Sequence, residues 1–141
     1  MIIKFKIDQN AKAPTKAHSA DAGFDLYAPK DCYGVIPSHE SAVIDTGTAI
    51  CIPEGYCGIL VSKSGLNVKH GIKSTGLVDA GYIGNIVVKL YNDSDSSFIL
   101  EGGMKISQIV ILPIPDVTLE RVNDFDVETE RGANGFGSSG K

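Results

Sequence analysis

Five short stretches of this chain break an otherwise apolar pattern with groups able to do chemistry. In SADAGFDLYAP (19–29), Asp21 and Asp25 flank Gly23. An Asx-type turn feeding a strand uses such residues, and the same spacing leaves carboxylates for other work. In VSKSGLNVKHGI (61–72), Lys63-Ser64-Gly65 precedes a short helical pattern. Small residues at a helix start let backbone N–H groups approach a phosphate, and a serine N-cap accounts for the same residues. STGLVDAGYIGNI (74–86) reads as a glycine-rich hairpin with Asp79 and Tyr82 near its bend. A carboxylate there can polarise a water, and an aromatic ring can stack on a sugar. In GMKISQIVILP (103–113), Gln108 sits inside a nearly continuous apolar run. A buried amide must be hydrogen-bonded, so it reaches a ligand or backbone. The last stretch, RGANGFGSSGK (131–141), holds four glycines, one bulky apolar residue, Phe136, and one of only two arginines in the chain, Arg131. Such a tail suits disorder or a lid whose Phe stacks on a base and whose Arg pairs with a phosphate.

The elements that must position these groups are strands, because the dominant apolar period is two. Ile3, Phe5 and Ile7 alternate with Lys4 and Lys6, and strands are expected at 24–28, 41–52, 55–62, 84–92, 105–114 and VTLERV (117–122). Turn residues separate them at Pro29-Lys30-Asp31, Pro53-Glu54-Gly55, Asn92-Asp93-Ser94-Asp95 and Glu101-Gly102-Gly103. One short helix is expected near 64–71. Short strands with frequent turns imply an all-β, jelly-roll-like sandwich or barrel.

The chain has 141 residues, 43% of them hydrophobic, which fits one domain with a real core. Composition shifts after about residue 123, giving a barrel domain at 1–123 and a C-terminal arm at 124–141. A net charge of −4 disfavours non-specific nucleic-acid binding, which needs many cation–phosphate contacts. Cys32, Cys51 and Cys57 form no C-x-x-C pair, so they read as small buried apolar residues rather than a disulfide framework or zinc site. The N-terminus reads as neither signal peptide nor membrane span, and a cytoplasmic location is expected.

Taken in order, the five stretches resemble the motifs of the trimeric deoxyuridine triphosphatase (dUTPase) family, over essentially the whole chain. Gly23-Phe24-Asp25-Leu26 resembles its G-x-D-L motif and Lys63-Ser64-Gly65-Leu66 its R-S-G/S-L motif. Gly76 to Asn85 resembles G-x-I-D-x-x-Y-x-G-E, and Lys105-Ile106-Ser107-Gln108 resembles R-I-A-Q. Arg131 to Gly140 resembles R-G-x-x-G-F-G-S-T-G, with Ser139 for Thr. The resemblance implies Mg²⁺-dependent cleavage of dUTP to dUMP and pyrophosphate by a homotrimer with sites at subunit interfaces. It makes Asp79 the general base and Gln108 a support for the α-phosphate region. Tyr82 packs on the deoxyribose, and backbone around Ser74, Gly76 and Val78 reads the uracil. Lys63, Ser64 and Gly65 meet phosphate oxygens. Asp25 holds Mg²⁺ through water, the ion being held mainly by substrate phosphates. Arg131, Phe136, Gly137, Ser138 and Ser139 form the lid, carried to a neighbouring subunit's site. Three departures stand out: Lys63 for Arg, Asn85 for Glu, and a short segment between Ile72 and Asp79. The alternatives are a dCTP deaminase of the same fold, in which a Glu stands where this chain has Lys89, and a regulatory binding protein with a dUTPase fold.

Overall fold

The computed structural model describes residues 1–134. Its strands are β1 (Lys4–Ile7), β2 (Gly23–Tyr27), β3 (Gly34–Ile36), β4 (Ser41–Asp45), β5 (Thr48–Cys51), β6 (Tyr56–Val61), β7 (Ile72–Lys73), β8 (Thr75–Val78), β9 (Val87–Asn92), β10 (Phe98–Leu100) and β11 (Lys105–Pro113), with one helix, α1 (Ser64–His70), between β6 and β7. All strand pairings are antiparallel among the described residues. A four-stranded sheet in the order β2-β11-β6-β8 and a three-stranded sheet in the order β4-β9-β7 contribute to one core, flanked by the ribbons β1-β5 and β10-β3.

Alternation explains the core. β9 reads exposed-buried along its length, and its Val88 and Leu90 meet Ile44 of β4 and Ile72 of β7. From the other sheet come Leu26, Leu60, Val78, Ile106 and Ile109. Asn92 is fully buried and stays satisfied: its Nδ2 donates to the carbonyls of Ile36, Pro37 and Ser96, and its Oδ1 accepts from the Ser94 N–H and Oγ–H.

Several expectations are corrected. Residues 41–52 are two strands rather than one, because the chain turns at Thr46-Gly47, where Gly47 adopts φ +63° and its N–H donates to Asp45 Oδ1. VTLERV forms no strand: beyond Pro113 the described chain contains neither strand nor helix. Its apolar alternation is real, but Val117 and Leu119 stay exposed. A strand needs a neighbour to satisfy its backbone, and this segment has none among the described residues. β1 is exposed along its whole length despite the predicted apolar face. Only Cys57 is buried; Cys32 is half-buried and Cys51 exposed, all three as free thiols. The short strands β3, β7 and β10 fall outside the sequence expectations. Among the described residues no helix is long and apolar enough to cross a membrane.

Candidate active site

The predicted site residues fall into two groups on the four-stranded sheet. The first is a row across it. Thr75 of β8 pairs with Val61 of β6, Val61 with Gln108 of β11, and Gln108 with Asp25 of β2. Directly opposed residues of antiparallel strands share a face, so these four side chains stand together on the face opposite Leu60 and Ile109. Gln108 Nε2 donates to the Ser62 carbonyl at 3.1 Å. The amide has two N–H donors, so one remains for another acceptor. Gly23 leaves room for it: a Cβ there would lie 2.9 Å from Gln108 Oε1 and push the amide aside.

Asp25 is buried and carries two cations: Lys63 Nζ lies 2.5 Å from Oδ1 and Lys105 Nζ 2.8 Å from Oδ2. Burial pushes the carboxyl up, but hydrogen bonds and charge from Lys105 and Lys63 outweigh it and hold the group below the usual carboxylate range. Asp25 conversely raises the Lys105 ammonium. Both carboxylate oxygens are thus engaged. Among the described residues no group of three His, Cys, Asp or Glu side chains could hold a metal. Asp25 is the one carboxylate in this row, so the row by itself offers no inner-sphere cluster for a cation.

Lys63 is the N-cap of α1 and Ser64 its first helical residue, so the serine is not the cap and makes no side-chain cap bond. The helix closes on Gly71 in the left-handed region, φ +67°, with Lys69 and His70 in its last turn. A Cβ at position 65 would meet nothing within 4 Å, so packing inside this chain does not demand that glycine.

Sequence reasoning passed over the serine network beneath this row. Ser62 Oγ donates to the Ser74 carbonyl at 3.1 Å and accepts the Ser74 N–H at 3.0 Å. Ser74 Oγ meets Ser107 Oγ at 2.8 Å, and Ser107 Oγ donates to the Val61 carbonyl at 3.2 Å. The network ties β6, β8 and β11 together. Ser74 is buried within it, and Thr75 rather than Ser74 lines the cleft along β8. The available signal was Ser107 inside an apolar run, which invites the same question as Gln108.

The second group surrounds a cleft of ≈ 490 Å³ whose lining includes Gly76, Val78, Asp79, Tyr82, Asn85 and Lys89. The expected hairpin is a corner between sheets: β8 pairs with β6, while β9 pairs with β4 and β7. β8 ends its sheet, so one edge of its backbone remains open to a partner among the described residues. Asp79 is exposed just past β8. Its carbonyl accepts the Tyr82 N–H at 3.3 Å across a turn whose Gly81 has φ +79°. Tyr82 folds back over the turn, its hydroxyl donating to the Asn85 carbonyl at 2.9 Å. Gly84 makes the space, because a Cβ there would lie 2.5 Å from that hydroxyl. Asn85 Nδ2 donates to Asp8 Oδ2 at 2.8 Å and approaches Asp45 Oδ2 at 3.5 Å. A glutamate at this position would place a third carboxylate against two others, which accounts for the amide here.

The two groups touch only at Thr75, which ends the row and lines the cleft. Three strand rises separate Thr75 from Val78, roughly 10 Å, and Asp79 lies beyond. Arg131 is exposed, its Nε donating to the Asn134 carbonyl at 3.1 Å. Phe136, Gly137, Ser138 and Ser139 lie outside the described residues.

The dUTPase family model matches residues 9–140. The chain belongs to the dUTPase family. It is 41% identical over 143 residues to the deoxyuridine 5′-triphosphate nucleotidohydrolase of Clostridium tetani, covering 99% of this chain and 97% of that protein. It is 39% identical over 133 residues to that of Eremothecium gossypii, covering 94% and 86%. Among solved structures it resembles a Staphylococcus bacteriophage 80alpha dUTPase with dUPNHPP, at TM-score 0.91 and 35% identity over 99% of both chains. A mutant dUTPase of phage phi11, described as coordinating a structural Mg(II) ion, matches at TM-score 0.82 and 29% identity, covering 90% of this chain and 100% of that one.

Proposed function

We propose that this dUTPase-family chain hydrolyses dUTP to dUMP and pyrophosphate, with Asp79 as the general base. The observation that carries this reading is the open edge of β8 beside Asp79 and Tyr82. Backbone donors and acceptors along Gly76–Val78 suit the edge of a uracil ring. Cytosine's exocyclic amine would leave those groups unpaired, which is how polar sites reject near-isosteres. Tyr82, pinned over the turn, packs against the sugar and leaves no room for a 2′-hydroxyl.

Water attacks the α-phosphorus while the Asp79 carboxylate takes its proton. The bond from that phosphorus to the bridging oxygen breaks, and pyrophosphate leaves. Lys63, Ser64 and the Gly65 N–H hold phosphate oxygens, and the spare N–H of Gln108 supports the α-phosphate. A bound Mg²⁺ would supply charge neutralisation across the triphosphate, with Asp25 oriented toward its water shell. Arg131 and the segment 136–139 close on the nucleotide as a lid. The protein works as a homotrimer in the cytoplasm. The deaminase alternative meets Lys89 at the cleft, and an ammonium group cannot replace a carboxylate proton shuttle. A purely regulatory role leaves Asp79, Tyr82 and Gln108 without a task.

A panel of dUTP, dCTP, dTTP and UTP, with Mg²⁺ and with chelator, tests the reading. Pyrophosphate release from dUTP alone, abolished by chelator, is the expected result. Ammonia release from dCTP, or no turnover of any nucleotide, overturns it.

A further inference from the structure

Lys105 reaches Asp25 only because β11 is irregular. Gln108 pairs with Asp25 and Ser107 with Leu26, but Lys105 pairs with Tyr27, so Ile106 is an extra residue in β11. Ile106 and Ser107 are accordingly both buried, in succession. A regular strand would place Lys105 and Gln108 on opposite faces, since they are three residues apart. The inserted residue reverses the parity and turns Lys105 onto the face of Asp25 and Gln108. Bulges re-aim side chains in this way beside active sites.

The outcome is two of the chain's eleven lysines converging on one carboxylate. One negative and two positive charges leave a local surplus of +1, in a protein of net charge −4. The geometry also says where the surplus faces. The Asp25 side chain is 6% exposed, whereas that of Lys105 is 46% exposed, so the ammonium stands on the solvent side of the carboxylate. Neutralising Asp25 needs one lysine, and Lys63 supplies it from beside Ser64 and Gly65.

We propose that Lys105 is a substrate-binding residue for the phosphates, parked on Asp25 in the free enzyme and turned to the polyphosphate when nucleotide binds. The inference rests on the proposed dUTPase reading and adds a cation to it, partly compensating for a lysine at position 63 that lacks the two-pronged geometry of arginine.

The test is equilibrium binding without metal, in chelator, of a non-hydrolysable α,β-imido dUTP and of deoxyuridine, to wild type, Lys105→Met and Lys105→Arg. Lys105→Met should weaken the triphosphate analogue on the order of tenfold and leave deoxyuridine unchanged, and Lys105→Arg should recover most of the loss. Equal binding of the analogue by Lys105→Met and wild type overturns the proposal. So does an equal loss of both ligands, which would make Lys105 a support for the fold of the site. If wild type binds no deoxyuridine compound, the dUTPase reading fails by itself, and inorganic tripolyphosphate then tests the lysine: weaker binding by Lys105→Met upholds the cation site, and equal binding overturns it.

Discussion

Asp25 and Asp79 are both carboxylates, and the fold gives them opposite surroundings. Asp79 is exposed at the end of a strand, free to meet a water; Asp25 is buried under two ammonium groups. We predict that Asp79→Asn keeps the fold and nucleotide affinity but lowers kcat at least ~10²-fold, the ordinary worth of a positioned base. Steady-state kinetics beside analogue binding checks this, and near-normal turnover would remove Asp79 from the mechanism. Asp25 also acts on stability. Its folded-state pKa is depressed, so its ion pairs stabilise the fold above the unfolded value, and that contribution disappears as pH falls through the folded one. In denaturant unfolding, the stability gap between wild type and Asp25→Asn should therefore narrow from about pH 6 to about pH 3. A gap independent of pH would show that the carboxylate charge contributes nothing.

At the scale of elements, the turn after β8 is a device for holding one ring. Gly81 supplies the left-handed φ, Gly84 leaves room for the Tyr82 hydroxyl, and Asn85 fixes the far end on Asp8. Gly84→Ala should leave stability nearly unchanged, because the displaced atom belongs to an exposed side chain, yet raise UTP hydrolysis relative to dUTP by moving Tyr82. An unchanged ratio would mean the sugar is read elsewhere. Gly102 gives the contrasting case: a Cβ there would sit 2.1 Å from the Lys30 carbonyl oxygen, which is backbone and cannot swing aside. Gly102→Ala should cost about 1–3 kcal/mol, measured by chemical unfolding. The long strands and the helix were legible because period-two alternation and turn residues are local signals, and Asp79, Tyr82 and Gln108 because polar groups interrupted that pattern. The bulge at Ile106 was not legible, since nothing local marks an extra residue that only the register with β2 reveals. The Ser62–Ser74–Ser107 network was hidden for the same reason: its members are distant in sequence and join only when β6, β8 and β11 align.

For the whole molecule, the separation of the two residue groups is decisive. Asp25 and Gln108 lie on the sheet face with Lys63 beside them, while Asp79 and Tyr82 line a cleft that runs along β8 and past its end. Asp79 stands more than three strand rises, roughly 10 Å, from Thr75 at the end of the row. Meanwhile β1 is exposed throughout, and Val117, Leu119, Phe125 and Val127 stand exposed along a segment leading to Arg131 that pairs with no strand among the described residues. An apolar strip of this kind suits contact with another copy. The trimer proposed above reconciles these facts if each site combines the sheet-face residues of one chain, Asp79 and Tyr82 of a second and the tail of a third. Two inactive variants test this. One carries Asp79→Asn with its tail intact; the other keeps Asp79 but stops before Arg131. Random equal mixing makes about three quarters of trimers mixed, each with about one competent site of three, so activity should recover to about one quarter of wild type under cyclic symmetry. A tail that served the site fed by its own chain's Asp79 would give no recovery in any mixture. Co-refolding with mixed trimers verified by mass, and no gain over either variant alone, would rule out the shared site.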